Sequence, residues 1–213
     1  MAIKKIVFFC GTPFTKRDYD RFGGEILKKN GFDVWFYDFS PILYPDLYNN
    51  CAYPDLYQPQ NYFLFLSESE GLKSISELPP DSFAIIIFGF GPASFKIYRS
   101  LSKARIPYCP LTNSSLPEDE KQKSSEILST VNRAIKKIFP LNIDTLKKIL
   151  YRPQFAPLLG INRPDYCIAA SETSFESSKA QYLVGNDTKI IWAHSQDYDI
   201  FLKNPSKDLK ISG

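Results

Sequence analysis

Three stretches of this chain carry residue types that could do chemistry. The first is Gly11-Thr12-Pro13-Phe14-Thr15-Lys16-Arg17-Asp18, with Arg21 a few residues on. Small residues beside a basic pair suit a ligand's phosphate or carboxylate, because guanidinium groups hold such anions through paired hydrogen bonds. Asp18 is also a natural helix N-cap, and Arg21 faces either the loop or solvent. The second is Gly89-Phe90-Gly91-Pro92-Ala93-Ser94, a strand-to-helix turn whose small residues let a ligand approach backbone N–H groups. The third is His194-Ser195-Gln196-Asp197-Tyr198-Asp199.

Each stretch also has a plainer reading. The turn at Gly89 and Gly91 has Ser94 where a dinucleotide fingerprint has its third glycine, and no following strand ends on an acidic residue. A tight turn with close helix–sheet packing accounts for it. His194 is the only histidine, so no two-histidine metal motif exists and any catalytic triad would have to use it. Asp197-Tyr198-Asp199 matches the DxD pattern that holds a divalent cation in many nucleotide-sugar transferases. Asp197 equally fits the cap of a following short helix, and no metal or other cofactor is expected. Neither GxxxxGK[ST] nor GxSxG occurs, which excludes P-loop nucleotide hydrolysis and a serine-hydrolase elbow.

The elements that position these residues are legible in the hydrophobic pattern. A strand from Ile3 to Cys10 leads through the first loop into a helix predicted over Tyr19–Asn30, a stop at Gly31 and a strand over Phe32–Phe39. Such a βαβ start puts the first loop at the carboxyl edge of a parallel sheet, where open α/β folds bind ligands. Residues Ser40–Asn61 are rich in proline and tyrosine, and Tyr44-Pro45-Asp46-Leu47-Tyr48 recurs as Tyr53-Pro54-Asp55-Leu56-Tyr57. This excursion is predicted to be a long ordered loop that contacts the domain through its tyrosines.

Tyr62–Leu66 fits a strand or a helix start, and Ser67 caps a helix reaching Leu78. Phe83–Phe88 reads as a strand buried on both faces, with Pro92 in the first turn of a helix over Ala93–Lys103. A short strand follows at Ile106–Leu111, then helices over Glu118–Phe139 and Ile143–Leu150, and strands at Pro164–Ala169 and Lys189–His194. The alternation predicts a Rossmann-like α/β fold with a mostly parallel sheet flanked by helices. It forms one domain over residues 1–203, with 204–213 a polar tail or the start of a linker.

Bulk properties exclude several classes. Net charge is +3 and the lysines are scattered, so nucleic acid is not an expected partner. No apolar run is long enough to span a bilayer, and no secretion signal opens the chain, so a cytoplasmic protein is expected. Cys10, Cys51, Cys109 and Cys167 form no CxxC pair and read as free thiols, mostly buried. The aromatic share of 15% is high, and tyrosines at pocket rims suit sugars or nucleotides.

Arg17-Asp18-Tyr19-Asp20-Arg21-Phe22-Gly23, Asn30-Gly31-Phe32-Asp33-Val34 with Asp38, and His194–Asp199 together resemble bacterial surface-carbohydrate biosynthesis proteins of the capsule and O-antigen type. The resemblance covers the two ends of the chain. It implies a GT-B-like glycosyltransferase whose N-terminal half binds acceptor, with the nucleotide-sugar donor held by a C-terminal half. This chain would be the N-terminal half, with glycan acceptor and nucleotide-sugar as partners of the full-length protein and no turnover on its own. On this reading Gly11, Thr12, Arg17, Arg21, Gly89, Gly91, Asp197 and Asp199 contact the ligand in one cleft, with His194 or Asp18 as general base. A non-catalytic nucleotide- or partner-binding α/β module is the alternative.

Overall fold

The computed structural model describes residues 2–112, 153–172, 175, 176, 179 and 181–193. They build a seven-stranded, all-parallel sheet in the order β3-β2-β1-β4-β5-β6-β7. The strands are β1 (Lys5–Cys10), β2 (Asp33–Asp38), β3 (Tyr62–Leu64), β4 (Ser82–Ile86), β5 (Tyr108–Thr112), β6 (Tyr166–Ala169) and β7 (Lys189–Trp192). This is a Rossmann-like α/β fold, as the alternating pattern implies.

The helices are α1 (Lys16–Arg21), α2 (Gly24–Lys29), α3 (Ser40–Leu43), α4 (Pro45–Asn50), α5 (Glu68–Ser76) and α6 (Phe95–Ala104). Two-residue alternation along β1 divides the core between the faces of the sheet. Ile6, Phe8 and Cys10 join Phe14, Tyr19, Val34 and Phe36 beneath α1 and α2. Val7 and Phe9 point the other way, into a core shared with Ile75 of α5 and Ile97 and Leu101 of α6. Ser67 caps α5, its Oγ accepting the Glu70 N–H at 3.3 Å.

Several sequence expectations change. The single helix over Tyr19–Asn30 is two helices, because Gly23 takes a left-handed φ of +69°. The break lets the chain fold back so closely that a Cβ on Gly24 would meet the Tyr19 ring at 2.6 Å. Asp18 is not the N-cap of α1. Thr15 is, its Oγ accepting the Asp18 N–H at 3.2 Å while the Asp18 carboxylate accepts the Thr15 N–H in return. The excursion after β2 is not loop throughout: it opens with α3 and α4, each with a proline in its first turn, where the missing N–H costs no hydrogen bond. Tyr62–Leu64 resolves as the edge strand β3. Strand β4 is buried on one face and half-buried on the other, whereas β1 is almost wholly buried. Helix α6 starts at Phe95, leaving Pro92 in the preceding turn. The helices expected over Glu118–Phe139 and Ile143–Leu150 lie outside the described residues. No helix among the described residues is long and apolar enough to cross a membrane.

Candidate functional site

Strand order reverses between β1 and β4. The chain leaves β1 toward β2 on one side and leaves β4 toward β5 on the other, so the loops after these neighbours diverge at the carboxyl edge. In open α/β sheets such a divergence leaves a crevice for ligands. The two predicted loops meet there: a Cβ on Gly11 would lie 3.0 Å from the Phe88 Cβ, so close that a side chain at Gly11 would push the loops slightly apart.

A cleft of about 210 Å³ opens beside this junction, lined by Cys10, Thr12, Phe14, Asp18, Arg21, Phe22 and Ile87. Several hydrogen bonds tie the first loop down around it. The buried Asp38, at the end of β2, accepts the Phe14 N–H at 3.2 Å, the Ser40 N–H at 2.8 Å and the Tyr62 hydroxyl at 2.8 Å. Further along, the Lys16 N–H donates to the Asp55 carbonyl and the Tyr57 N–H to the Phe14 carbonyl, with a bridge between Thr15 and Leu56. Residues 55–57 of the excursion thereby form a short antiparallel clamp on the first loop.

Asp18 is largely engaged. Its Oδ2 accepts the Thr15 hydroxyl at 2.7 Å and its Oδ1 faces Arg21 Nη1 at 4.0 Å. Thr12 and Arg17 are exposed, and Arg21 is half-buried along the cleft. Cys10 lies at the floor; burial, with the Asp38 and Asp18 carboxylates adding to it, pushes its thiol well above the usual range. A neutral, buried thiol is a poor nucleophile. Tyr62 is likewise raised, by burial and then by the Asp38 charge, so its hydroxyl stays a donor to Asp38.

The second loop is filled by the protein itself. Ser94 Oγ donates to the Gly89 carbonyl at 2.8 Å and accepts the Gly91 N–H at 2.9 Å, closing the turn. The Gln181 side chain lies over Gly89, where a Cβ would meet its Cγ at 2.5 Å, and the Phe90 N–H donates to the Gln181 carbonyl at 2.7 Å. A Cβ on Gly91 would meet none of the described residues within 4 Å. Sequence reading named Gly89 but missed Gln181, and no local signal marks a residue so distant in sequence.

His194, Asp197 and Asp199 lie outside the described residues. Strand β7, which precedes them, stands four strand positions from β1, about 19 Å at the usual strand spacing. Among the described residues no three His, Cys, Asp or Glu side chains cluster as metal ligands would.

No family model matches the chain, and no curated protein does. Among solved structures, it is similar to the Staphylococcus aureus MnaA–UDP co-structure at 12% identity and a TM-score of 0.44, over 99% of this chain and 50% of that one. It is also similar to UDP-GlcNAc 2-epimerase from Methanocaldococcus jannaschii, at 11% identity and a TM-score of 0.41, over 88% of this chain and 45% of that one. The chain spans half or less of the length of these two proteins.

Proposed function

We propose that this chain is the N-terminal, acceptor-side domain of a glycosyltransferase-like protein of bacterial cell-surface polysaccharide synthesis, acting in the cytoplasm. The observation that carries the reading is the cleft at the β1/β4 divergence, where Phe14, Phe22 and Ile87 give an apolar wall and Thr12, Asp18 and Arg21 a polar rim. A pyranose ring has the same division, with C–H faces that pack on aromatic carbon and hydroxyls that need donors and acceptors around the edge. The resemblance of the chain's two ends to surface-carbohydrate proteins agrees with this. The nucleotide-sugar donor would be held by a second domain.

One observation favours the alternative of a binding module without catalysis. Asp18, the candidate base among the described residues, is committed to capping α1. A carboxylate fixed in that geometry has little freedom to take a proton from an acceptor hydroxyl.

The two readings part in a thermal-shift and NMR titration of the chain with oligosaccharide acceptors, nucleotide-sugars and free nucleotides. The acceptor-domain reading expects glycans to raise the melting temperature and to move the amides of residues 11–22, with Arg21→Ala weakening the effect about tenfold, the loss of one charge-assisted contact. A response to nucleotides alone would support the module. Silence to all three ligand classes would overturn both.

A further inference from the structure

The amino edge of the sheet, opposite the candidate site, holds a second cleft of about 160 Å³. Its walls are the end of α6 (Ser102, Arg105), the approach to β5 (Ile106–Tyr108) and the approach to β6 (Asn162, Arg163, Asp165). We infer that this cleft is a binding site for a phosphate group, gripped by the Arg105 and Arg163 guanidinium groups.

Charge is the first support. Two arginines and one aspartate line the cleft, and Asp165 uses Oδ2 to accept the Tyr108 N–H at 3.2 Å. Among the described residues neither Arg105 nor Arg163 enters an ion pair. Pairs of guanidinium forks match the oxygens of phosphate better than any other side chain does.

The Ser102 and Tyr108 hydroxyls already donate within the protein, so the arginines, with the Asn162 side-chain amide beside them, are the side-chain donors lining the cleft. Ser102 Oγ donates to the Tyr98 carbonyl and accepts the Asn162 N–H, and the Tyr108 hydroxyl donates to the Asn162 carbonyl. The end of α6 would repel an anion through its exposed carbonyls. Here the Leu101 and Ser102 carbonyls are covered by the Ile106 and Arg105 N–H groups, which weakens that repulsion.

Both arginines occupy positions where the backbone makes them conspicuous. Arg105 is the C-cap of α6 with a φ of +56°, a left-handed site that glycine fills at least cost. Arg163 runs across Gly185, where a Cβ would collide with its guanidinium Nη1 and come within 2.6 Å of its Cδ. The bare Gly185 thus leaves room for the Arg163 side chain alongside the cleft.

The test is a titration of the full chain with inorganic phosphate and, separately, with a sugar phosphate, at matched ionic strength. Native protein should gain thermal stability as either is added, with NMR shifts confined to residues 102–108 and 162–165. Arg163→Gln and Arg105→Gly should each weaken the response about tenfold. Glycine relieves the left-handed backbone, so Arg105→Gly should fold at least as well as the native chain, and its lost response cannot reflect unfolding. Tighter binding of the sugar phosphate would identify a phosphorylated metabolite as the ligand, and equal binding the free ion. An unresponsive native chain, shifts confined to residues 11–22, or a full response in both variants would overturn the proposal.

Discussion

The carboxylate of Asp38 holds the backbone N–H of Phe14 at 3.2 Å, tying the end of β2 to the loop after β1. In a dinucleotide-binding fold an acidic residue at this place would reach a ribose. Here its oxygens are occupied by Phe14, Ser40 and Tyr62, so it shapes the candidate site from within the core.

Asp38→Ala should therefore leave three polar groups without their acceptor and destabilise the chain by about 3 kcal/mol or more, at roughly 1 kcal/mol or above for each stranded group. Denaturant unfolding measures this. A loss below about 1 kcal/mol would mean that the first loop is held by other contacts.

Thiol accessibility gives a second check. Cys51 is exposed, whereas Cys10, Cys109 and Cys167 are buried and none forms a disulfide. An aromatic disulfide reagent should titrate Cys51 at once in native protein and all four thiols in denaturant. Rapid native reaction of Cys10 would contradict its place at the cleft floor.

Alkaline pH should unfold the chain through the same thiols. Burial pushes Cys109 up to about 12 and Cys167 to about 11, from an ordinary value of 9.0. A folded-state value above the unfolded one gives stability that is complete below pH 9.0 and declines as pH rises toward 11 and 12. Cys167→Ala should flatten the lower part of that decline in a pH series of unfolding curves. An unchanged slope would argue that Cys167 is not buried.

The clamp formed by residues 55–57 predicts a contrast between tyrosines. The Tyr57 ring packs edge-on against Tyr19 at 5.1 Å, and Tyr57→Ala should cost about 2 kcal/mol. Tyr44 is 45% exposed, and Tyr44→Ala should change stability by no more than about 0.5 kcal/mol. Equal effects would make the excursion uniformly attached or uniformly loose.

On the proposed function, the chain alone should transfer no sugar from any nucleotide-sugar, because Asp18 is engaged as a cap and the donor is assigned to a second domain. A transfer assay across a donor panel, run with Asp18→Asn and His194→Ala, tests this. Turnover that either substitution abolishes without unfolding the chain would establish a self-sufficient transferase.

Local sequence was enough to determine much of the chain. The continuous apolar runs of β1 and β2, the Ser67 cap and the proline break after α5 are local signals, and each produced the element expected. That a Cβ on Gly11 would crowd Phe88 at 3.0 Å, by contrast, shows only once the two loops are brought together. Tertiary structure decided what one stretch of chain cannot encode. The pentapeptide Tyr-Pro-Asp-Leu-Tyr is helical from Pro45 in its first copy, yet in its second copy Asp55 turns left-handed at φ +61° and Leu56 bridges to Thr15. The two copies differ in what lies beside them, because only the second meets the free backbone groups of the first loop. Likewise Gln181 fills the space over Gly89, and the order of the strands sets the cleft between β1 and β4. Backbone hydrogen bonds and packing between distant segments are satisfied only when those segments meet, so their partners are fixed by the fold as a whole.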